Sequence, residues 1–209
     1  MSNSVTNSND YLQYLLKSWS AKSASELTGL NQLRASAIDS VGTQKLPNKH
    51  DEEWRFTDIS PLTRLAYPPS QQQSRLQFSD IDKFCLQNTT NRLVFVDNHY
   101  SPDLSNVADS QIQILGNLHS LMSSHASTIE SHLGHYAKFD HDIFTALNTA
   151  FLHDSALIIV PAKTCITEPI HLLFIASQQE VSSYPRSLVV SGPDSKVTLI
   201  EDYVSINQS

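Results

Sequence analysis

Five of the nine histidines, His125, His132, His135, His141 and His153, lie within thirty residues of one another. Neutral imidazole is a common ligand for zinc, iron, nickel and copper, so two of them with Asp140 or Asp142 could hold a metal ion. On that reading the chain is a small metal-dependent enzyme of β-sandwich or cupin-like fold. The spacing matches no closed ligand motif, however, and His132 and His135 share a face only if their segment is helical. Solvated or hydrogen-bonded imidazoles are the plainer expectation, and no metal ligand is assigned.

The other reactive side chains are sparser. Cys85 and Cys165 stand eighty positions apart with no CxxC motif, too few for a site held by thiolates alone. Each reads as a packed, inert thiol. Glu201 and Asp202 are neighbours, and neighbours on a strand point to opposite faces, so they form no acid–base dyad. Gly192-Pro193-Asp194 is a turn without the glycine density of a phosphate loop. Asp51-Glu52-Glu53-Trp54-Arg55 could present Trp54 as an interface anchor. The simpler expectation is a loop latch, with the Trp54 ring buried and Arg55 paired to a local acid. No catalytic or cofactor-binding residue is expected.

Charge narrows the partners. Fourteen Lys and Arg face 21 Asp and Glu, and the net charge is −7. Residues 1–67 are balanced, so the acidic excess lies in 68–209. No positive field would draw in a nucleic-acid backbone. The longest apolar runs, such as Leu157–Ala162, fall far short of the ~20 residues a membrane helix needs. The N-terminus lacks the basic and apolar regions of a secretory leader, and the two cysteines suit a reducing compartment. A cytoplasmic chain is expected.

Residues 1–8 are a polar Ser/Asn tract. From Asp10, Leu12, Leu15, Leu16 and Trp19 recur at helical spacing. A second helix is signalled by capping-box spacing at Ser23 and Glu26, then Leu27, Leu30, Leu33, Ile38 and Val41, with Gly42 near its end. Pro47–Pro61 reads as a loop with a short turn, and residues 67–75 as a linker closing a helical region over 1–66. Within 76–152 the pattern predicts strands at Arg92–Asp97 and Gln111–Leu115, a weak helix over Asn117–Ala137 and a firmer one over Asp142–Leu152. Asp140 or Asp142 is placed to cap that helix, and Asn148 on its apolar stripe needs a backbone partner.

After Asp154 the texture is β. Ala156–Val160, Ile170–Ala176, Ser187–Val190 and Val197–Ile200 are short, nearly unbroken apolar runs, as in strands covered on both faces. Parallel strands usually need a helical crossover, and Thr164–Pro169 and Gln178–Arg186 offer none. An antiparallel sandwich and a parallel β-helix both fit that pattern.

The segment LPNKHDEEWRFTDISPL (46–62) resembles a signature of the SufB/SufD family of iron–sulfur assembly proteins. FTALNTAF (144–151), ALIIVPA (156–162), EPIHLLF (168–174), PRSLVVSG (185–192) and KVTLIEDYVS (196–205) follow in the family's order. His99 and Ser155 depart from it, standing where similar sequences lead one to expect glycine. At each, either the backbone is strained or the turn differs.

The resemblance implies an α+β fold: an N-terminal helical region followed by a right-handed parallel β-helix, of which 153–209 would be the first rungs. It further implies a non-catalytic scaffold subunit working with SufB-like and SufC-like partners, iron or cluster being handled by the full complex. The SufC contact would belong to a C-terminal region beyond these rungs. The chain is accordingly expected to be the N-terminal part of such a protein. Its last rung would expose unpaired backbone groups, so self-association through that β-edge is expected.

Overall fold

A computed structural model describes residues 8–19, 28–65, 67–71, 74–87, 89–108 and 114–206. Six α-helices lie among the described residues: α1 (Ser8–Ser18), α2 (Thr28–Thr43), α3 (Ser60–Leu65), α4 (Phe78–Ile81), α5 (Leu118–His132) and α6 (Ile143–Ala150). The strands are β1 (Asn91–Val96), β2 (His99–Tyr100), β3 (Ile114–Asn117), β4 (Ala156–Val160), β5 (Ile170–Ala176), β6 (Ser187–Ser191) and β7 (Leu199–Ser205). The fold is α+β, with two compact units interleaved along the chain. One comprises 1–69, 134–151 and 180–182, the other 70–133, 152–179 and 183–209.

The first unit is helical. Tyr11, Leu12 and Leu15 of α1, Leu30, Ala37, Ile38 and Val41 of α2, and Ile143, Ala146, Leu147 and Ala150 of α6 are buried. Amphipathic helices this short gain their stability by hiding such stripes together. The carbonyl of Ala150, at the negative end of α6, accepts from Trp19 Nε1 (3.0 Å) and from the buried Arg34 Nε (3.1 Å). A cation is well placed at a helix C-terminus, where carbonyls lack internal partners. The N-cap of α6 is Asp142 rather than Asp140, its Oδ1 accepting from Thr145 N at 2.6 Å. Asn148 is half-buried. The start of the second helix expected at Ser23 and Glu26 lies outside the described residues. Pro69, in the expected linker, forms a parallel bridge with Ser182.

The second unit holds two sheets, ordered β2-β1-β5-β7 and β3-β4-β6. From β4 onward the chain alternates between them. Each strand therefore pairs in parallel with the next but one, β4 with β6 and β5 with β7, and β1 pairs in parallel with β5. The open choice between antiparallel and parallel runs falls to the parallel one, and turns replace the usual helical crossover. Ala156 aligns with Ser187 and Val160 with Ser191, an offset of 31 residues that the Cys165–Lys196 bridge repeats. Ile170 aligns with Leu199, an offset of 29, so the second turn is two residues shorter. At equivalent corners Lys163 and Asp194 both adopt φ near 58°. Gly192 packs so closely there that an added Cβ would lie 2.5 Å from Ala162 N.

Between the sheets, Leu93, Phe95, Ala156, Ile158, Val160, Ile170, Leu172 and Phe174 form a buried apolar core. Val94, Val96, Leu173 and Ile175 face the other way, against Ile81, Leu104, Leu76, Phe84 and Cys85. Burial on both faces explains the unbroken apolar runs of β4 and β5. The weak helix expected to Ala137 ends at His132, is broken at His125 (φ −132°, ψ 24°), and is closed by Gly134 at φ 84°. The strand expected from Gln111 is described from Ile114.

The glycine expectations resolve simply. Neither His99 nor Ser155 has a positive φ; Asp97 (50°) and Asn98 (74°) do, forming the tight turn from β1 to β2. Two successive positive φ values define the hairpin turn that matches strand twist, and Asp and Asn tolerate them.

Candidate functional site

The described structure ends its parallel stack on β6 and β7, each the outermost strand of its sheet. Every residue of β7 pairs with β5 on one side only. Its outward N–H and C=O groups form a row open to another strand, the usual template for strand addition. The side chains between the sheets change character at this edge. Where the preceding layer sets Ala156, Ile158 and Val160 against Ile170, Leu172 and Phe174, the terminal layer sets Ser187, Val189 and Ser191 against Leu199, Glu201 and Tyr203.

Tyr203 caps an aromatic column. Its ring stacks on Phe174 (5.0 Å, 13°), which stacks on Phe95 (5.2 Å, 24°), following the aligned register. The column ends in the open, with Tyr203 61% exposed. A shallow, mainly apolar hollow lies alongside, lined by Phe95, Phe174, Pro185 and Tyr203. Glu201 takes the position of Leu172 one layer on. It accepts from Ser187 Oγ (2.7 Å) and Tyr203 OH (3.1 Å), tying the two edge strands together. Partial desolvation, with the Glu201 charge beside it, pushes the Tyr203 hydroxyl up to about 12, so it remains a donor at neutral pH. Asp202 points to the opposite face, as expected, and accepts from Nε2 of the fully buried His171 at 2.9 Å. Burial lowers the His171 pKa more than Asp202 restores it.

The five spaced histidines are not gathered. His125 sits at the break in α5 against Ser124 Oγ (2.7 Å), His132 is the last residue of α5, and His135 and His141 are exposed in the first unit. Among the described residues no group of three or more His, Cys, Asp or Glu side chains is arranged so as to hold a metal ion. The histidines that do meet are His99, His119 and His153, which spacing of 20 and 34 positions in sequence conceals.

Cys165 is exposed rather than packed, because its turn position faces outward beside Lys196; Cys85 is half-buried and burial raises its pKa. Trp54 is half-buried against Phe144 (5.2 Å), which supports the latch, but Arg55 stacks over Phe56 (4.5 Å) and has no acidic ion-pair partner among the described residues. The local ion pair is Lys49–Asp58 (3.5 Å), and Phe56 is 88% exposed. Asp51 turns inward on its loop, accepting from Asn48 N and Nδ2.

Against known proteins, the SufBD protein N-terminal region matches residues 5–172. The chain belongs to the SufB/SufD family. An iron–sulfur cluster assembly SufBD family protein of Synechocystis sp. is 34% identical over 197 residues, covering 92% of this chain and 43% of that protein. The iron–sulfur cluster assembly protein SufD of Bacillus subtilis is 22% identical over 207 residues, covering 92% of this chain and 45% of its own. The chain thus spans less than half the length of these family members. The family match runs from the helices into β5, stopping at Leu172 in mid-strand. No helix among the described residues is long and apolar enough to cross a membrane.

Proposed function

We propose that the chain is a non-catalytic scaffold portion of an iron–sulfur cluster assembly complex, working in the cytoplasm with SufB-like and SufC-like subunits. In this reading β4–β7 are the first coils of a right-handed parallel β-helix, and the β6–β7 edge is its working surface. The observation that carries it is the open parallel edge of β7, crowned by the Phe95–Phe174–Tyr203 column. A bare row of backbone groups beside stacked aromatics gains from a further strand both hydrogen bonds and apolar burial. In a protein of the relatives' length further coils stack there; in the chain by itself a second copy does. Family membership supplies the iron–sulfur context, and iron or cluster is cargo of the whole complex.

The experiment is co-purification from the native host. The full-length protein carrying this region is expected to bring down SufB-like and SufC-like subunits, whereas residues 1–209 alone fail to hold the SufC-like one. Strong capture of the SufC-like subunit by 1–209, or no family partner on the full-length protein, would overturn the reading.

A further inference from the structure

Three imidazoles from different elements meet inside the second unit. His99 lies on β2, His119 on the first turn of α5, and His153 just ahead of β4. The His99 ring meets His153 edge-on with centroids 4.3 Å apart, and His153 lies 5.7 Å from His119. His119 Nδ1 is 3.4 Å from Asp154 Oδ1. The Nε2 of His99 is buried with no hydrogen-bond partner.

The charged groups facing His99 are Asp97 in its own hairpin, Asp154 beside His153, and His119. Both carboxylates are committed elsewhere. Asp97 accepts from Ser177 and Gln178, and Asp154 from Asn117 Nδ2 and the amides of Leu118 and Ser155. Neither bonds Nε2 of His99, so a proton there would bring a charge into a buried space without an acceptor, which is costly.

We propose that His99, His119 and His153 form a proton-operated latch, holding the β1–β2 hairpin against the β3–α5 junction and the start of β4 while His99 is neutral, and releasing it on acidification. The pKa values at the two ends of the cluster are displaced in opposite directions. The Asp154 hydrogen bond raises the His119 pKa, so His119 charges first and adds a positive neighbour. Burial outweighs the opposing pull of Asp154 and Asp97 and, with a smaller push from His119, holds the His99 pKa below its ordinary value. A basic group with a depressed pKa protonates more readily in the open form. The closed hairpin therefore loses stability as pH falls below the ordinary histidine value of about 6.5.

Amide hydrogen exchange tests the latch. Corrected for the intrinsic pH dependence of exchange, protection across 97–101 is expected to be lost progressively between pH 7.5 and 5, with β5 unchanged. His99→Phe keeps a ring and removes the titration, and the pH effect should vanish with it. Should that variant fail to fold, NMR titration of the wild-type histidines decides, with His99 expected to titrate below His119 and below about 6.5. Equal protection at both pH values, a pH effect that survives in His99→Phe, or His99 titrating at or above that value would overturn the proposal.

Discussion

Asp97 shows how one side chain joins the hairpin to the parallel stack. It is fully buried with a left-handed backbone, and its carboxylate accepts from Ser177 N (2.8 Å), Ser177 Oγ (2.6 Å) and Gln178 Nε2 (3.0 Å). Burial alone would raise its pKa, but the donors from Ser177, Gln178 and Ser74 outweigh that and hold it below the usual carboxylate value. A depressed carboxylate pKa gives stability that is present above the unfolded value, about 3.9, and is lost as pH falls through the folded one. Thermal melts from pH 6 down to pH 2 should show this loss in the wild type and a shallower one in Asp97→Asn. Asp97→Ala, which strands the Ser177 and Gln178 donors, is expected to cost about 2–3 kcal/mol in chemical denaturation at neutral pH. The same reasoning applies to Arg34: Arg34→Met removes one of the donors to Ala150 O and should cost about 1–3 kcal/mol.

Among the elements, the corners of the stack are the most exacting. At Gly192 an added Cβ would meet backbone atoms of Pro161 and Ala162, whereas at Gly42 nothing lies within 4 Å. Gly192→Ala should therefore destabilise by about 1–3 kcal/mol, the cost of overpacking against an unyielding neighbour. Gly42→Ala, near the end of α2, should be neutral or stabilise by up to about 1 kcal/mol, readable from the shift in melting temperature. The parallel register makes a covalent test possible as well. Lys196 is the bridge partner of the exposed Cys165. Lys196→Cys should consequently form a disulfide with Cys165 under mild oxidation, detectable by peptide mapping, while Cys85 stays reduced.

These elements also mark how far the sequence could be read. Apolar runs located β4, β5 and β6 closely, because burial on both faces leaves a strand no polar alternation. Asp142, one of two capping candidates, and the stripe of Ile143, Phe144, Leu147, Ala150 and Phe151 announced α6. The 31-residue offset was present but faint: ALIIVPAKTCIT at 156–167 and SLVVSGPDSKVT at 187–198 align corner for corner, yet share few identities. The turn after β1 was legible from Asn98 onward, but it begins one residue earlier, at Asp97, which the apolar run drew into the expected strand. The meeting of His99, His119 and His153 had no local signal, since β-pairing and the start of α5 bring those residues together.

At the scale of the whole molecule, the second unit grows more polar toward its open end. The enclosed layer is apolar throughout, and the terminal layer carries Ser187, Ser191 and Glu201 around Val189, Leu199 and Tyr203. Such a surface can meet water, yet it keeps an apolar column and a free row of backbone donors and acceptors for a partner strand. Tyr203→Lys places a charge over that column, the means by which natural sheets blunt their edges. Because Tyr203 is largely exposed, the substitution should leave the fold intact. Sedimentation velocity across a micromolar concentration series tests the claim of a working edge most directly. The wild-type chain is expected to shift from monomer to dimer or larger species with concentration, and Tyr203→Lys to remain monomeric. A wild-type chain that stays monomeric throughout, or a variant that associates equally well, would contradict the account.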